Sequence, residues 1–170
     1  VRKCFEPSKL ARLYQLRAEI EKLSGLDVHF RDLCWLALAS ILRKVADVET
    51  GWPYIAPKKP LKSNGNKDPI KVFCQQLRLM KGDLESIGHG AEPCQTRIIC
   101  GDARKAIPEL SENSLDFAFT SPPYLNNFDY GDRTRLETYF FGICSCWKDI
   151  SDRIRSRLIT AATTQVHRNG

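Results

Sequence analysis

The amino-acid sequence predicts an α/β protein in which a long helical segment precedes part of a parallel β-sheet. Apolar residues recur at helical spacing over residues 7–24 and 73–87, and an apolar helix is predicted between them over residues 30–48. Two short apolar runs follow, at residues 97–100 and 115–120. We therefore divide the chain into a mainly helical insertion or extension, residues 1–90, and a partial α/β core, residues 91–170.

The composition is that of a globular domain with a positive charge. The chain has 170 residues, of which 42% are hydrophobic and 27% charged, so a real core is expected. The formal charge of +6 allows a polyanionic partner such as nucleic acid, but charge alone is weak evidence and ordinary solubility also accounts for it. Because the chain begins at Val1 and its only methionine is Met80, we expect it to be a piece of a longer protein.

The first two predicted helices differ in how much of their surface is apolar. The first carries one apolar stripe and ends at Gly25. The second is apolar almost all round and is expected to be buried between neighbours. The stripe of the first helix consists of Leu10, Leu13, Leu16, Ile20 and Leu23.

Residues 50–69 are rich in proline and lysine and predict a loop. Lys58 and Lys59 of this loop are candidate contacts to a phosphate backbone, with a solvated lysine loop as an equal alternative. Asp68 is expected to cap a third helix that has Pro69 at its first position. One apolar seam follows along that helix, formed by Phe73, Leu77, Met80, Leu84 and Ile87.

The second half of the chain has the pattern of a parallel sheet. Residues 97–100 and 115–120 predict two buried strands, and residues 103–110 predict a helix between them. The sequence SPPY, residues 121–124, therefore follows the carboxyl end of a predicted parallel strand. Ligands bind at that edge of open α/β sheets.

Neither a metal site nor a membrane segment is predicted. The seven cysteines contain no C-x-x-C pair, and the three histidines show no ligand spacing. Cys144 and Cys146 could hold a metal, but free thiols in a reducing compartment are favoured. Since no apolar stretch is long enough to span a bilayer and no signal peptide opens the chain, we expect a cytoplasmic protein.

The SPPY stretch has the chemistry to bind and activate a planar amine. Pro122 and Pro123 lack amide donors and have a fixed φ, so their carbonyl groups require donors from elsewhere. The oxygen of Ser121 and a proline carbonyl can accept the two hydrogens of a nucleobase amine and make its nitrogen more nucleophilic. Tyr124 offers a face for the base, a contact worth about 1–3 kcal/mol. A proline-rich strand terminator is the structural alternative.

The stretch RIICGDARKAIPELSENSLDFAFTSPPY, residues 97–124, resembles the core of DNA amino-methyltransferases. The segments LCWLALASILRKV, PYIAPKKP and LNNFDYGDRTRLETYFFG extend the resemblance over most of residues 30–160. It implies a partial Rossmann-like methyltransferase sheet, S-adenosylmethionine as cofactor and double-stranded DNA as partner. The serine at the head of the motif is typical of cytosine-N4 enzymes, so that target is favoured over adenine-N6. A restriction endonuclease as a partner system is also consistent with this family.

The resemblance assigns roles to particular residues. Ser121, Pro122 and Tyr124 match the positions that contact the target base, and Pro123 holds the turn. Asp102 matches an acidic residue near the adenine of the cofactor. The residues that follow the motif are candidates for contacts to the base or the DNA backbone, with turn formation an equal account of the asparagines and the aspartate. These residues are Asn126, Asn127, Asp129 and Tyr130.

One expected feature of the family is absent. Its glycine-rich cofactor turn has no counterpart here, since Gly88 and Gly90 of SIGHGAEP follow a helix rather than a strand. We expect that turn upstream of this sequence and expect the chain alone to be inactive. Two alternatives stay open: a methyltransferase acting on RNA or protein amines, and a nucleic-acid-binding module without catalysis.

Overall fold

The computed structural model describes residues 1–25, 27–50, 55–60, 67–88, 96–99, 101–102, 105–121 and 128–160. Three long helices dominate this part of the chain, and short helices follow after residue 128. The long helices are α1 (Pro7–Lys22), α2 (Val28–Val45) and α3 (Pro69–Gly88). The short ones are α4 (Tyr130–Arg133), α5 (Arg135–Phe140) and α6 (Trp147–Asp149).

Each long helix begins where local chemistry favours it. Pro7 occupies the start of α1, where its missing amide hydrogen is not needed. The Asp27 side chain accepts a hydrogen bond from the amide of His29 at 2.8 Å and caps α2. The predicted cap of α3 is confirmed, because the Asp68 side chain accepts from the amide of Ile70 at 3.0 Å.

The core lies where α2 packs against α1, α3 and α5. The residues of α2 that face inward are fully buried, as expected for a helix that is apolar on most sides: Ala37, Leu38, Ile41, Leu42 and Val45. From α3, Phe73 is buried and Leu77 and Met80 pack against the core. The predicted seam of α3 ends there, because Leu84 and Ile87 are exposed.

Residues 56–60 form a strand, so the prediction of a loop over 50–69 is wrong at these positions. β2 (Ala56–Pro60) pairs in antiparallel orientation with β1 (Val48–Glu49), and the register is irregular between Val48 and Glu49. An irregular pairing suits β2, because two of its five residues are prolines, which cannot donate to a ladder.

The expected strands at 97–100 and 115–120 are not formed by the described residues. Residues 96–99 and 117–121 have no strand pairing, and residues 105–110 form turns rather than the expected helix. Cys100, Ala103 and Arg104 lie outside the described residues. A parallel strand exists only beside a neighbour, and here Ile98 and Phe117 are exposed. The α/β fold class therefore stays a prediction.

Helix α5 packs against the N-terminal helices of the chain. Its Phe140 is buried and stacks on Tyr14 of α1 with ring centroids 5.3 Å apart. The Phe140 carbonyl accepts a hydrogen bond from Nη1 of Arg17 at 2.7 Å. Residues that follow the SPPY motif thus pack on the first helix. The predicted division near residue 90 stays a prediction.

The described residues include free thiols but no cluster of potential metal ligands. Cys4, Cys34 and Cys144 are buried free thiols, and Cys74 and Cys146 are exposed. Burial raises the pKa of Cys4, Cys34 and Cys144 above the ordinary thiol value. No group of three or more His, Cys, Asp or Glu side chains comes together in this part of the chain. Among the described helices, none combines the length and apolarity needed to cross a membrane.

Leu38→Ala tests the assignment of α2 as the central helix. Leu38 is fully buried, so its truncation should lower the free energy of unfolding by about 2–5 kcal/mol, as measured by urea denaturation. Leu79→Ala is the matched control, because Leu79 is 63% exposed and should cost far less. Equal losses in the two variants would contradict the packing described here.

Candidate active site

The structure describes Ser121 of the predicted catalytic motif and the chain from Phe128 onwards. Ser121 is exposed at the end of the described segment 105–121. The other motif residues, Pro122, Pro123 and Tyr124, lie outside the described residues, as do Asn126 and Asn127. Tyr130 begins α4 and is 39% exposed, with its ring edge-on to Phe128 at 4.6 Å between centroids. Of the aromatic residues predicted to contact the base, Tyr130 is therefore the one whose position is known.

The other predicted contacts lie on separate segments. Asp102 is half-buried, and its carbonyl accepts from the amide of Lys105 at 2.9 Å. Lys58 and Lys59 are exposed on β2, and Nζ of Lys59 lies 3.9 Å from Glu49. These two lysines are open to a polyanion at little desolvation cost. The structure gives no contact that brings them to Ser121.

Asp129, which follows the motif, is buried and hydrogen-bonded. It is 2% exposed, and its Oδ1 accepts from the amide of Asp132 at 3.1 Å, which caps α4. Its carbonyl accepts from the amide of Arg133 at 2.9 Å. Of the two roles left open for this aspartate, the structure shows turn and cap formation.

A buried arginine neutralises Asp129. Nε of Arg155 lies 2.8 Å and Nη2 lies 2.6 Å from Oδ2 of Asp129. The exposed fractions of the two side chains are 6% for the arginine and 3% for the aspartate. Removing either partner would leave a buried charge without its counter-ion, which typically costs about 3–5 kcal/mol. Arg155 follows α6 through a π-helical turn, Ile150–Ile154.

Two arginine side chains lie over the ring of Trp147. The guanidinium of Arg155 is 4.3 Å from the ring centroid of Trp147, and that of Arg135 is 5.4 Å away. Nη1 of Arg135 also lies 3.1 Å from Oδ1 of Asp132. Charges of alternating sign therefore surround the start of α4, and each arginine is oriented by both an acid and the indole.

Gly131 allows α4 to approach this cluster closely. A Cβ at this position would lie 3.1 Å from Cγ of Arg155, 3.2 Å from Oδ1 of Asp129 and 3.3 Å from Cγ2 of Ile150. These distances are tighter than ordinary contacts, and Gly131 is itself buried. A side chain at this position would fit only if these neighbours moved by a few tenths of an ångström.

A second arginine network ties α4 and α5 to the helical part of the chain. Nε and Nη2 of Arg43 bind the Glu137 carboxylate at 2.6 and 3.0 Å. Arg43 also donates to the carbonyl of Arg133. Such paired contacts orient both planar groups. Helix α2 therefore holds the two helices that follow the motif.

The same network fixes both ends of the stretch between β1 and β2. The carbonyl of Thr50 accepts from Nη1 of Arg43 and from Nη1 of Arg133, each at 3.4 Å. The carbonyl of Ile55 accepts from Nη2 of Arg135 at 3.2 Å. Thr50 and Ile55 are thus held against helices that begin just after the motif.

A cavity of about 530 Å³ opens beside Trp147. Its wall is mostly apolar, and cationic side chains form part of its lining. The lining residues are Val1, Arg2, Lys3, Cys4, Ile55, Arg135, Leu136, Tyr139 and Trp147. Burial raises the pKa of Tyr139 above its usual value, so this hydroxyl is neutral at ordinary pH.

Two aspartates near the cluster have altered acidity. Burial raises the pKa of Asp132, and the nearby charge of Arg135 opposes that rise. Hydrogen bonds from the amides of Ser145 and Cys146, at 2.6 and 3.2 Å, lower the pKa of Asp149. Asp149 therefore stabilises the start of α6 in its charged form.

The residues that the structure describes fit S-adenosylmethionine only in part. Asp102 offers a half-buried carboxylate that could accept from the adenosine end. A Cβ on the adjacent Gly101 would meet nothing within 4 Å, so the backbone makes no close approach there. The described residues supply no glycine-rich cradle for the methionine end.

Comparison with known proteins gives one informative similarity. The chain resembles a Type II methyltransferase. It is 26% identical over 137 residues to the Type II methyltransferase M.BsoBI of Geobacillus stearothermophilus, with 66% of this chain covered. The chain spans 27% of the length of that relative. No protein-family model and no solved structure matches. The similarity supports the methyltransferase part of the resemblance.

Sequence reasoning did not find the residues that hold the start of α4. Asp129 was a candidate for base contact or for turn formation, and its buried partner Arg155 lies 26 residues further along the chain. Trp147 and Gly131 were likewise not predicted as part of the site. A buried aspartate needs a nearby cation, but the sequence contains many arginines and does not show which one it is.

Gly131→Ala tests the close packing at α4. The added methyl group should lower the free energy of unfolding by about 1–3 kcal/mol, because Arg155 and Ile150 must move. The control is Gly82→Ala in α3, where a Cβ meets nothing within 4 Å. That variant should gain about 1 kcal/mol from helix propensity in the same urea titration. A neutral or stabilising Gly131→Ala would contradict the described packing.

Asp149→Asn tests the cap of α6. Since the pKa of Asp149 is depressed in the folded state, its charged form contributes stability above the ordinary aspartate pKa. That contribution disappears as pH falls through the lower folded-state pKa. The free energies of unfolding of wild type and variant should therefore differ at pH 7 and converge in acid. Curves that remain parallel down to acid pH would refute this role.

Proposed function

We propose that this chain is part of a DNA methyltransferase that transfers a methyl group from S-adenosylmethionine to the exocyclic amine of a flipped base. Cytosine N4 is favoured over adenine N6. The observation that carries the proposal is the SPPY motif, whose Ser121 is exposed and follows the apolar run LDFAFT. The similarity to a Type II methyltransferase supports the general assignment as a DNA methyltransferase.

The proposed chemistry uses the motif as a set of hydrogen-bond acceptors. The oxygen of Ser121 and the carbonyl of Pro122 accept the two amine hydrogens, which draws the nitrogen lone pair away from the ring. Pro123 keeps the turn rigid. The amine nitrogen would gain the methyl group as the sulfur–methyl bond breaks and leaves a neutral thioether, and the methylated amine would release one proton to water. S-adenosylmethionine supplies the methyl group when bound, and Asp102 is the described residue proposed to contact it.

Binding of DNA requires the target base to leave the helix. Turning a base out of the stack costs a few kcal/mol, and stacking on Tyr124 would return about 1–3 kcal/mol. Tyr130, Asn126 and Asn127 are proposed to contact the base or its flanking backbone. Lys58 and Lys59 are proposed to contact phosphates, which their exposure on β2 permits. A restriction endonuclease partner belongs to the same proposal.

The proposed architecture is a partial Rossmann-like sheet preceded by the helical segment. Leu115, Phe117 and Phe119 alternate with other residues in the sequence, and in a strand this spacing would place them on one face. Their exposed fractions are 61%, 81% and 89%. Alternating apolar residues in a sequence are typical of a strand with one face packed in a sheet. This alternation supports strand formation at 115–120 when neighbouring strands are present.

A non-catalytic nucleic-acid-binding module is the second candidate. The observation that favours it is the lack of a cofactor cradle among the described residues, where Gly101 makes no close approach. Calorimetry with S-adenosylmethionine separates the two: a methyltransferase binds the cofactor in its full-length form, and a binding module does not.

Ser121→Ala and Tyr124→Ala test the catalytic assignment in the full-length protein. Loss of one hydrogen-bond acceptor at the reacting amine should lower the rate of labelled methyl transfer to DNA by about 10²–10³-fold. Tyr124→Ala should act chiefly through loss of base stacking. Ser111→Ala is the matched control, an exposed serine on the same described segment.

Full activity in both motif variants would refute the site assignment. Digestion of the methylated product identifies the modified base. Methylated cytosine N4 supports the favoured target, whereas methyl transfer to RNA and not to DNA would replace it with the RNA alternative.

A further inference from the structure

We propose that Arg155 is a positioning residue for the SPPY motif. Through its buried contact with Asp129, it fixes the chain at the start of α4, five residues after Tyr124. This inference rests on the proposed function. It concerns a residue outside the 97–142 stretch that carries the strongest resemblance to methyltransferases.

Asp129 is held through both of its carboxylate oxygens. Oδ1 accepts from the amide of Asp132 at 3.1 Å, and Oδ2 faces Nε and Nη2 of Arg155 at 2.8 and 2.6 Å. Because the two oxygens bind different groups, rotation of the carboxylate would break both sets of contacts. Asp129 lies five residues after Tyr124, so its position limits how far from α4 the end of the motif can lie.

Arg155 is itself held on three sides. Its Nη1 lies 3.0 Å from Oγ of Ser151, and its guanidinium lies 4.3 Å from the centroid of Trp147. Its Cγ packs against Gly131, where an added Cβ would be 3.1 Å away. Arg155 therefore links the segment that holds Trp147 and Ser151 to the start of α4.

The burial of this pair argues for a geometric role. Both side chains are less than one-tenth exposed. Buried ion pairs are often replaceable by apolar side chains without loss of stability, so stability alone gives little reason for a charged pair here. A charged pair does provide directional contacts that an apolar pair would lack. Two acceptor atoms can bind one amine only if the motif has a defined orientation, because small displacements from reactive geometry reduce rates strongly.

Lys9 provides a matched control. It is 4% exposed and pairs with Asp47 in the helical part of the chain. Lys9→Met removes a buried cation, as Arg155→Met does, but at a site with no contact to α4. The double variant Arg155→Met, Asp129→Asn removes both charges and keeps a side-chain oxygen able to cap α4.

The experiment measures methyl transfer and amide hydrogen exchange in the full-length protein. Arg155→Met should lower kcat by about 10²-fold and leave KM for DNA close to wild type, since ground-state binding is retained. Lys9→Met should lower the melting temperature without this loss of kcat. The double variant should recover melting temperature relative to Arg155→Met and keep the low kcat. If Arg155→Met does not fold, Arg155→Lys provides a second variant, because it retains the charge.

The exchange measurement separates this inference from the proposed function. Amides of residues 128–134 should exchange faster in Arg155→Met and Arg155→Lys than in wild type and Lys9→Met. If wild type transfers no methyl group, the proposed function is wrong and the exchange result alone decides whether Arg155 positions this segment. Unchanged exchange at 128–134, or recovery of kcat together with melting temperature in the double variant, would overturn the inference.

Discussion

Helix α2 imposes the main constraint on this protein. Its buried face is wide, and Leu38, Ile41 and Leu42 are fully removed from solvent. One neighbouring helix could not cover such a surface, so α1, α3 and α5 pack around it. The position of α5 matters most for function, because this helix follows the SPPY motif closely in the chain. Burial of α2 therefore places α5, which follows the motif in the chain, against the N-terminal helices.

Polar contacts define the arrangement that apolar packing permits. Arg43 holds Glu137 of α5, and Arg155 holds Asp129 at the start of α4. Apolar surfaces tolerate sliding and rotation. The paired hydrogen bonds of Arg43 to Glu137, and the hydrogen bond and close charge contact of Arg155 with Asp129, favour one orientation. The segment after the motif is thus oriented from two directions, by α2 on one side and by the stretch from Trp147 to Arg157 on the other.

The sequence predicted the local features well and the non-local ones poorly. The three long helices, and the cap of α3 by Asp68, depend on spacing and turn chemistry within a few residues. The strand at 115–120 was predicted from the same kind of local pattern, but a strand also needs a partner, and Phe119 here is exposed. The pairing of Asp129 with Arg155 depends on tertiary structure and leaves no periodic signal.

The sequence distance spanned by the α5 contacts has a consequence for folding. Arg43 and Glu137 are 94 residues apart, and Arg17 and Phe140 are 123 apart. Contacts between α1, α2 and α3 close much shorter loops and can form early, while contacts across long loops form slowly. We expect the three-helix unit to form first and α5 to dock onto it afterwards. The segment that leaves the motif would then reach its final position in one of the last steps of folding.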